Sequence, residues 1–206
     1  VISEGKPFIG ENEQNLVLML GGPGILNIHN GSVAVVENFN GNIRVLGSGS
    51  HLLSRSETLK ECISLETRFQ PVEKLAARSK DGIEVVVKDI RYRFRVHNQL
   101  GKTDQSDLFG KAPDQYSDES ILRLVYNRSQ TSNGIGIWEE EIRKLVELII
   151  RDYIQQHQVD YLVAPKSEGL DPRAEIYSLF NSPTGKKRFE EKGAERGWID
   201  IGQFET

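Results

Sequence analysis

The sequence holds one cysteine, one methionine and two tryptophans in 206 residues. A lone Cys62 cannot close an intramolecular disulfide, so the fold must rest on burial and hydrogen bonding, which a chain of this length can supply without a staple. That cysteine usage suits a reducing compartment. Long apolar runs are missing too: the longest, Leu16-Val17-Leu18-Met19-Leu20, covers five residues, whereas a membrane-spanning helix takes about 20. Positive charge is not in excess, with 26 Lys and Arg against 30 Asp and Glu and a net charge of -4. Proteins that track phosphate backbones carry a basic surplus, so no nucleic-acid partner is expected. No charged and then apolar leader opens the chain; the start at Val1 is read as a cut end that leaves any anchor outside these residues.

What is present is punctuated β patterning. Residues 1–15 read as polar and irregular, and Gly21-Gly22-Pro23-Gly24 marks a tight turn after the strand expected over residues 16–20. Short strands follow over residues 25–28, 32–37 and 43–46, the last two joined at Asn40-Gly41-Asn42, where Asn-Gly suits positive φ. Residues 47–50 close that hairpin. Leu59, Ile63, Leu65 and Phe69 alternate in a way that predicts one long half-buried strand over residues 59–69. After the Asp81-Gly82 turn, residues 83–96 are the most strongly β segment. There the apolar phase changes, from Ile83, Val85 and Val87 to Ile90, Tyr92, Phe94 and Val96. A one-residue slip would turn every later side chain to the opposite face, so a β-bulge or sharp bend is predicted between Val86 and Asp89.

Residues 101–117 are too polar for a core element and read as an exposed excursion. A helix is expected over 118–129, with Ile121, Leu122 and Val125 on its stripe and Ser117 or Asp118 as cap. The clearest helix spans 137–157, where Trp138, Ile142, Leu145, Ile149 and Tyr153 recur every three or four residues, behind an acidic start at Glu139, Glu140 and Glu141. Asp171-Pro172 caps another, broken at Ser182-Pro183-Thr184-Gly185, and a strand over 198–204 ends the chain. Strands first and helices afterwards predict an α+β fold, an antiparallel β-rich module followed by helices and a final short strand.

Candidate chemistry is thin. His29, His51, His97 and His157 are scattered without metal-ligand spacing, and neither Gly21-Gly22-Pro23-Gly24 nor Gly185-Lys186-Lys187 has the form of a phosphate loop. No Gly-x-Ser-x-Gly occurs. No catalytic, cofactor-binding or metal site is therefore expected, and the chain is read as no enzyme. Arg91, Arg93 and Arg95 share one strand face, opposite Tyr92, Phe94 and Val96. Such a stripe can meet anionic lipid headgroups, each cation contributing about 1 kcal/mol, or can form cross-strand pairs with Glu61, Glu66 or Glu84. Leu16, Leu18 and Leu20 read either as a shallow membrane contact or as the first core strand.

Arg44-Val45-Leu46-Gly47-Ser48-Gly49-Ser50-His51-Leu52-Leu53, Leu65 to Gln70, Ser79-Lys80-Asp81-Gly82-Ile83 and Ile90-Arg91-Tyr92-Arg93-Phe94 together resemble motifs of the SPFH or band 7 family of stomatin, prohibitin and flotillin. Ser48 stands where that family usually has proline. The resemblance implies a 1–23 flank and a 24–206 domain, β-rich over 24–98 and helical over 118–206. It further implies a non-enzymatic, membrane-associated scaffold module of a homo-oligomer, held to the membrane through flanks outside a soluble, cytoplasmic piece, with a membrane-protein client. The alternative is a monomeric protein-binding module acting on a membrane protease or other membrane partner.

Overall fold

The structure, a computed structural model, describes residues 1–7, 21–97, 116–127, 130–131, 134–135, 137–163 and 171–206. The fold is α+β, as expected from the order of its patterns. It divides into two compact units that share the chain alternately: residues 1–66 with 96–126, and residues 67–95 with 127–206. The expected divisions at 24, 98 and 118 cut the chain differently.

The first unit is built from two sheets. Strands β1 (Ile2–Ser3), β2 (Lys6–Pro7), β3 (Gly24–Ile28) and β6 (Gly49–Leu53) form one, in the order β2-β1-β3-β6. Strands β4 (Ser32–Asn38), β5 (Ile43–Leu46) and β7 (Glu57–Ser64) form the other, with β4 in the middle. Ile2, Leu26, Ile28 and Leu53 of the first sheet share one core with Ala34, Val36, Leu46 and Cys62 of the second. The start of the chain is thus not irregular, because Ile2 pairs in parallel with Ile28 and is fully buried. Val33 and Val35 are buried as completely as Ala34 and Val36, so β4 is covered on both faces. Helix α1 (Asp118–Tyr126) belongs to the same unit and buries Ser120, Ile121 and Leu124, an i, i+3 pair in place of the expected Leu122 and Val125.

The β4–β5 hairpin forms where Asn-Gly predicts it, through a longer loop. Its register ends at Glu37↔Ile43, Gly41 alone takes positive φ (78°), and the Asn38 side chain accepts from the backbone N–H groups of Asn40 and Asn42 at 3.0 and 2.9 Å. Two further expectations are corrected. Residues 47–50 are not only a turn, since β6 begins at Gly49. Residues 59–69 are not one strand: β7 stops at Ser64 and β8 (Arg68–Arg78) starts afresh, because the chain passes from one unit to the other between Glu66 and Thr67. Phe69 consequently stands 53% exposed.

In the second unit, β8 pairs with β9 (Glu84–Val96), which is flanked on its other edge by β12 (Ala194–Asp200) and β13 (Phe204–Glu205). The final strand therefore starts earlier than expected and is interrupted. The predicted phase change is real. Val85 and Val87 are buried, then Ile90, Tyr92, Phe94 and Val96, with Lys88 and Asp89 exposed between them and Asp89 at φ 53°. Pairing with β8 keeps one register across the break, from Leu75↔Val87 to Val72↔Ile90. The burial phase of β8 changes at the same place, with Val72 and then Leu75 and Ala77 buried, and no extra residue is inserted against β8. A short pair, β10 (Gln130–Thr131) with β11 (Gly134–Ile135), leads to helix α2 (Trp138–Gln156).

Trp138 of α2 meets Phe94 edge to face at 5.4 Å, which sets this helix on the Tyr92 and Phe94 side of the sheet. Its buried stripe is Trp138, Ile142, Val146, Ile149, Ile150, Tyr153 and Ile154, so the seam drifts past Leu145 as a 3.6-residue period requires. A short helix α3 (Val159–Val163), unforeseen, follows it. The expected break at Ser182 separates α4 (Pro172–Asn181) from α5 (Pro183–Glu191). Asp171 accepts from Arg173 N–H at 3.0 Å as the cap of α4, and Ser182 caps α5 by accepting from Gly185 N–H at 3.0 Å.

Candidate functional site

The residues behind the family resemblance are engaged in architecture. His51 Nε2 donates to the Gly47 carbonyl at 2.8 Å and closes the corner where the chain leaves the β5 sheet for β6. Asp81, in the β8–β9 turn, accepts from Val159 N–H at 3.0 Å and holds the start of α3, while Lys80 N–H donates to the His157 carbonyl at 2.9 Å. Cys62 is buried, and burial pushes its thiol up to about 12, far from the thiolate that nucleophilic or redox chemistry requires. Among the described residues no three His, Cys, Asp or Glu side chains are grouped to hold a metal ion. A polar hollow of about 620 Å³ lies beside Ser3, Glu4, His29 and Glu66, and a smaller one of about 220 Å³ beside Arg173, Tyr177 and Asp200.

Surfaces are more informative. At one end of the first unit, Glu57 ties three segments together. Its carboxylate accepts from Arg44 Nη1 at 2.6 Å and from Ser54 N–H at 2.8 Å, and its carbonyl accepts from Gly22 N–H at 2.8 Å. The Ser54 N–H, and then Arg44, hold the Glu57 carboxyl below the ordinary carboxylate range. Gly22 fits there for lack of a side chain, since a Cβ would run into the Ser54 carbonyl. Around this knot stand large apolar side chains: Phe39 beside the β4–β5 turn (80% exposed), and Ile25 and Leu52 (69% and 72%) directly paired across β3 and β6. Arg55, in the β6–β7 turn, is exposed and has no ion pair among the described residues. Leu16, Leu18 and Leu20 lie outside the described residues; Gly21, next in sequence, packs against Glu57 and Thr58.

In the second unit, Arg91, Arg93 and Arg95 lie on the sheet face that α2 does not cover. None pairs with Glu61, Glu66 or Glu84. Arg95 binds Glu195 of β12 through Nε and Nη2, at 3.0 and 2.9 Å. Arg91 and Arg93 are exposed and have no ion pair among the described residues.

A cluster that sequence reasoning missed joins three helices. Tyr153 of α2 and Tyr161 of α3 donate to the two oxygens of Glu175 on α4, at 2.7 and 2.6 Å, and the His157 ring lies between the two phenols. Those hydrogen bonds, Tyr153 first, lower the Glu175 pKa, while burial and the carboxylate raise that of Tyr153. Tyr153, Tyr161 and Glu175 fall in three different helices and His157 caps the end of α2, so no local motif announces them. The exposed apolar group had a signal: in Leu52-Leu53 one side chain must face outward, because strand neighbours alternate.

No family model matches the chain, and no curated protein matches it.

Proposed function

We propose that the chain is a non-enzymatic building block of a membrane-associated homo-oligomeric scaffold, with the Phe39, Ile25 and Leu52 end of its first unit resting against a bilayer. The observation that carries this reading is that end itself. Three large apolar side chains, each more than two-thirds exposed, stand on the segments that Glu57 ties together: Phe39 follows Asn38, which pairs with Glu57, and Ile25 and Leu52 pair with each other close to Gly22, Ser54 and the exposed Arg55. Exposed apolar groups gathered in this way mark interaction surfaces. Spread over a hairpin tip and the outer face of another sheet, they suit a soft interface more than a flat partner. Among the described residues no helix is long and apolar enough to cross a membrane; exposed apolar side chains at this end suit a contact that lies on the surface. The architectural use of His51 and Asp81 is in keeping with a module that performs no chemistry.

The test is fluorescently labelled chain on a supported bilayer containing about one-third anionic lipid, with copies counted by stepwise photobleaching. Binding in multi-copy clusters, reduced at least tenfold in F39D/I25D/L52D, is expected. Single-step bleaching would replace the scaffold with the monomeric binding module, and equal binding by the triple variant would remove the membrane role of this end.

A further inference from the structure

The open sheet face of the second unit points to a different partner, independently of the bilayer reading. We propose that Arg91 and Arg93 form a docking surface for an extended acidic segment of another protein, with carboxylates at alternate positions. The two arginines sit two residues apart on β9, so their side chains leave the same face about 7 Å apart. Carboxylates two residues apart on an extended partner have the same spacing. Phe69, directly paired with Arg93, supplies an exposed aromatic surface on one side. On the other side lies the exposed Gly197 of β12, which approaches so closely that a Cβ there would come within 3.1 Å of Arg93 Cβ, so no side chain of that residue stands beside the guanidinium stem. The patch is a cation flanked by an aromatic ring and a bare strip of backbone.

Charge complementarity selects the occupant. Arg95, the third arginine of the row, is already satisfied by Glu195, and that pair shows which chemistry the row accepts: a carboxylate bound through two guanidinium N–H groups. Arg91 and Arg93 offer the same fork without a carboxylate among the described residues. A lipid surface is the poorer fit, because anionic headgroups are held by clusters of about four to eight cations, whereas here the row offers two arginines without an ion pair among the described residues. Arginine beside an aromatic ring is also the composition enriched at the energetic centres of protein interfaces.

The test is fluorescence anisotropy of the whole chain with a labelled twelve-residue peptide alternating Glu and Thr, and with a control peptide carrying Gln for Glu. The Glu peptide should bind at low salt and the Gln peptide at least tenfold more weakly. R91E/R93E should lose binding tenfold or more and F69S several-fold. K186E/K187E, which changes net charge equally at two exposed lysines elsewhere, should bind as the unaltered chain does. Circular dichroism melts of each variant establish that the fold is retained. Absence of Glu-peptide binding, or equal loss in R91E/R93E and K186E/K187E, overturns the proposal. So does an R91E/R93E variant that keeps the peptide and loses anionic vesicles.

Discussion

The two units of this chain solve the same problem, a sheet with one face to bury, and leave different things outside. The first folds two sheets onto each other and turns Ile25, Leu52 and Phe39 outward; the second covers its sheet with α2 and turns Arg91 and Arg93 outward. Inward positions are alike in both, filled with Val, Ile, Leu and Phe. The difference lies in the outward half of the alternation, where packing places no demand and side chains are free to serve partners.

The sharpest way to break the comparison is to empty one core and watch the other. Phe94→Ala removes a fully buried ring and should cost about 3–5 kcal/mol, lowering amide protection through the second unit in hydrogen exchange. Protection of β3, β4 and β7 should persist; if it falls in step, the two units are one cooperative body and the contrast has no thermodynamic meaning.

A smaller effect comes from acid. Glu57 in the first unit and Glu175 in the second both have lowered pKa values. Their stabilisation is fully present above the ordinary Glu value of about 4.3 and is lost as pH falls through the depressed folded values. Glu175→Gln should cost about 1 kcal/mol at neutral pH and flatten the acid limb of a denaturation series monitored in the second unit. The acid limb of the first unit should be unchanged unless Glu57 is altered as well. An effect of the same size, about 1 kcal/mol, is expected by urea denaturation for Ser182→Ala, confined to the second unit; an equal shift in the first would again merge the two.

Much of this architecture was legible. The phase break in β9 could be read because seven apolar residues, from Ile83 to Val96, change phase around Lys88 and Asp89, and the Asp171 cap because Asp-Pro suits a helix start. The break between β7 and β8 was not legible: Leu65 and Phe69 keep a period of two across a boundary that depends on long-range contacts. Ile2 escaped notice because a two-residue strand has no period. The arginine row was visible from spacing alone, but Glu195 as partner of Arg95 lies 100 residues away.

The alternation of the chain between its units has a consequence for biosynthesis. A ribosome releases residues 67–95 before residues 96–126, yet the former belong to the second unit and the latter complete the first. β8 and β9 must therefore emerge as a hairpin whose apolar face, with Val85, Val87, Ile90 and Phe94, has no cover until α2 is made some forty residues later. The phase break shared by both strands at Asp89 and the polar row of the opposite face give that waiting hairpin an interrupted, charged outline. Such outlines discourage edge-to-edge pairing between nascent chains on neighbouring ribosomes.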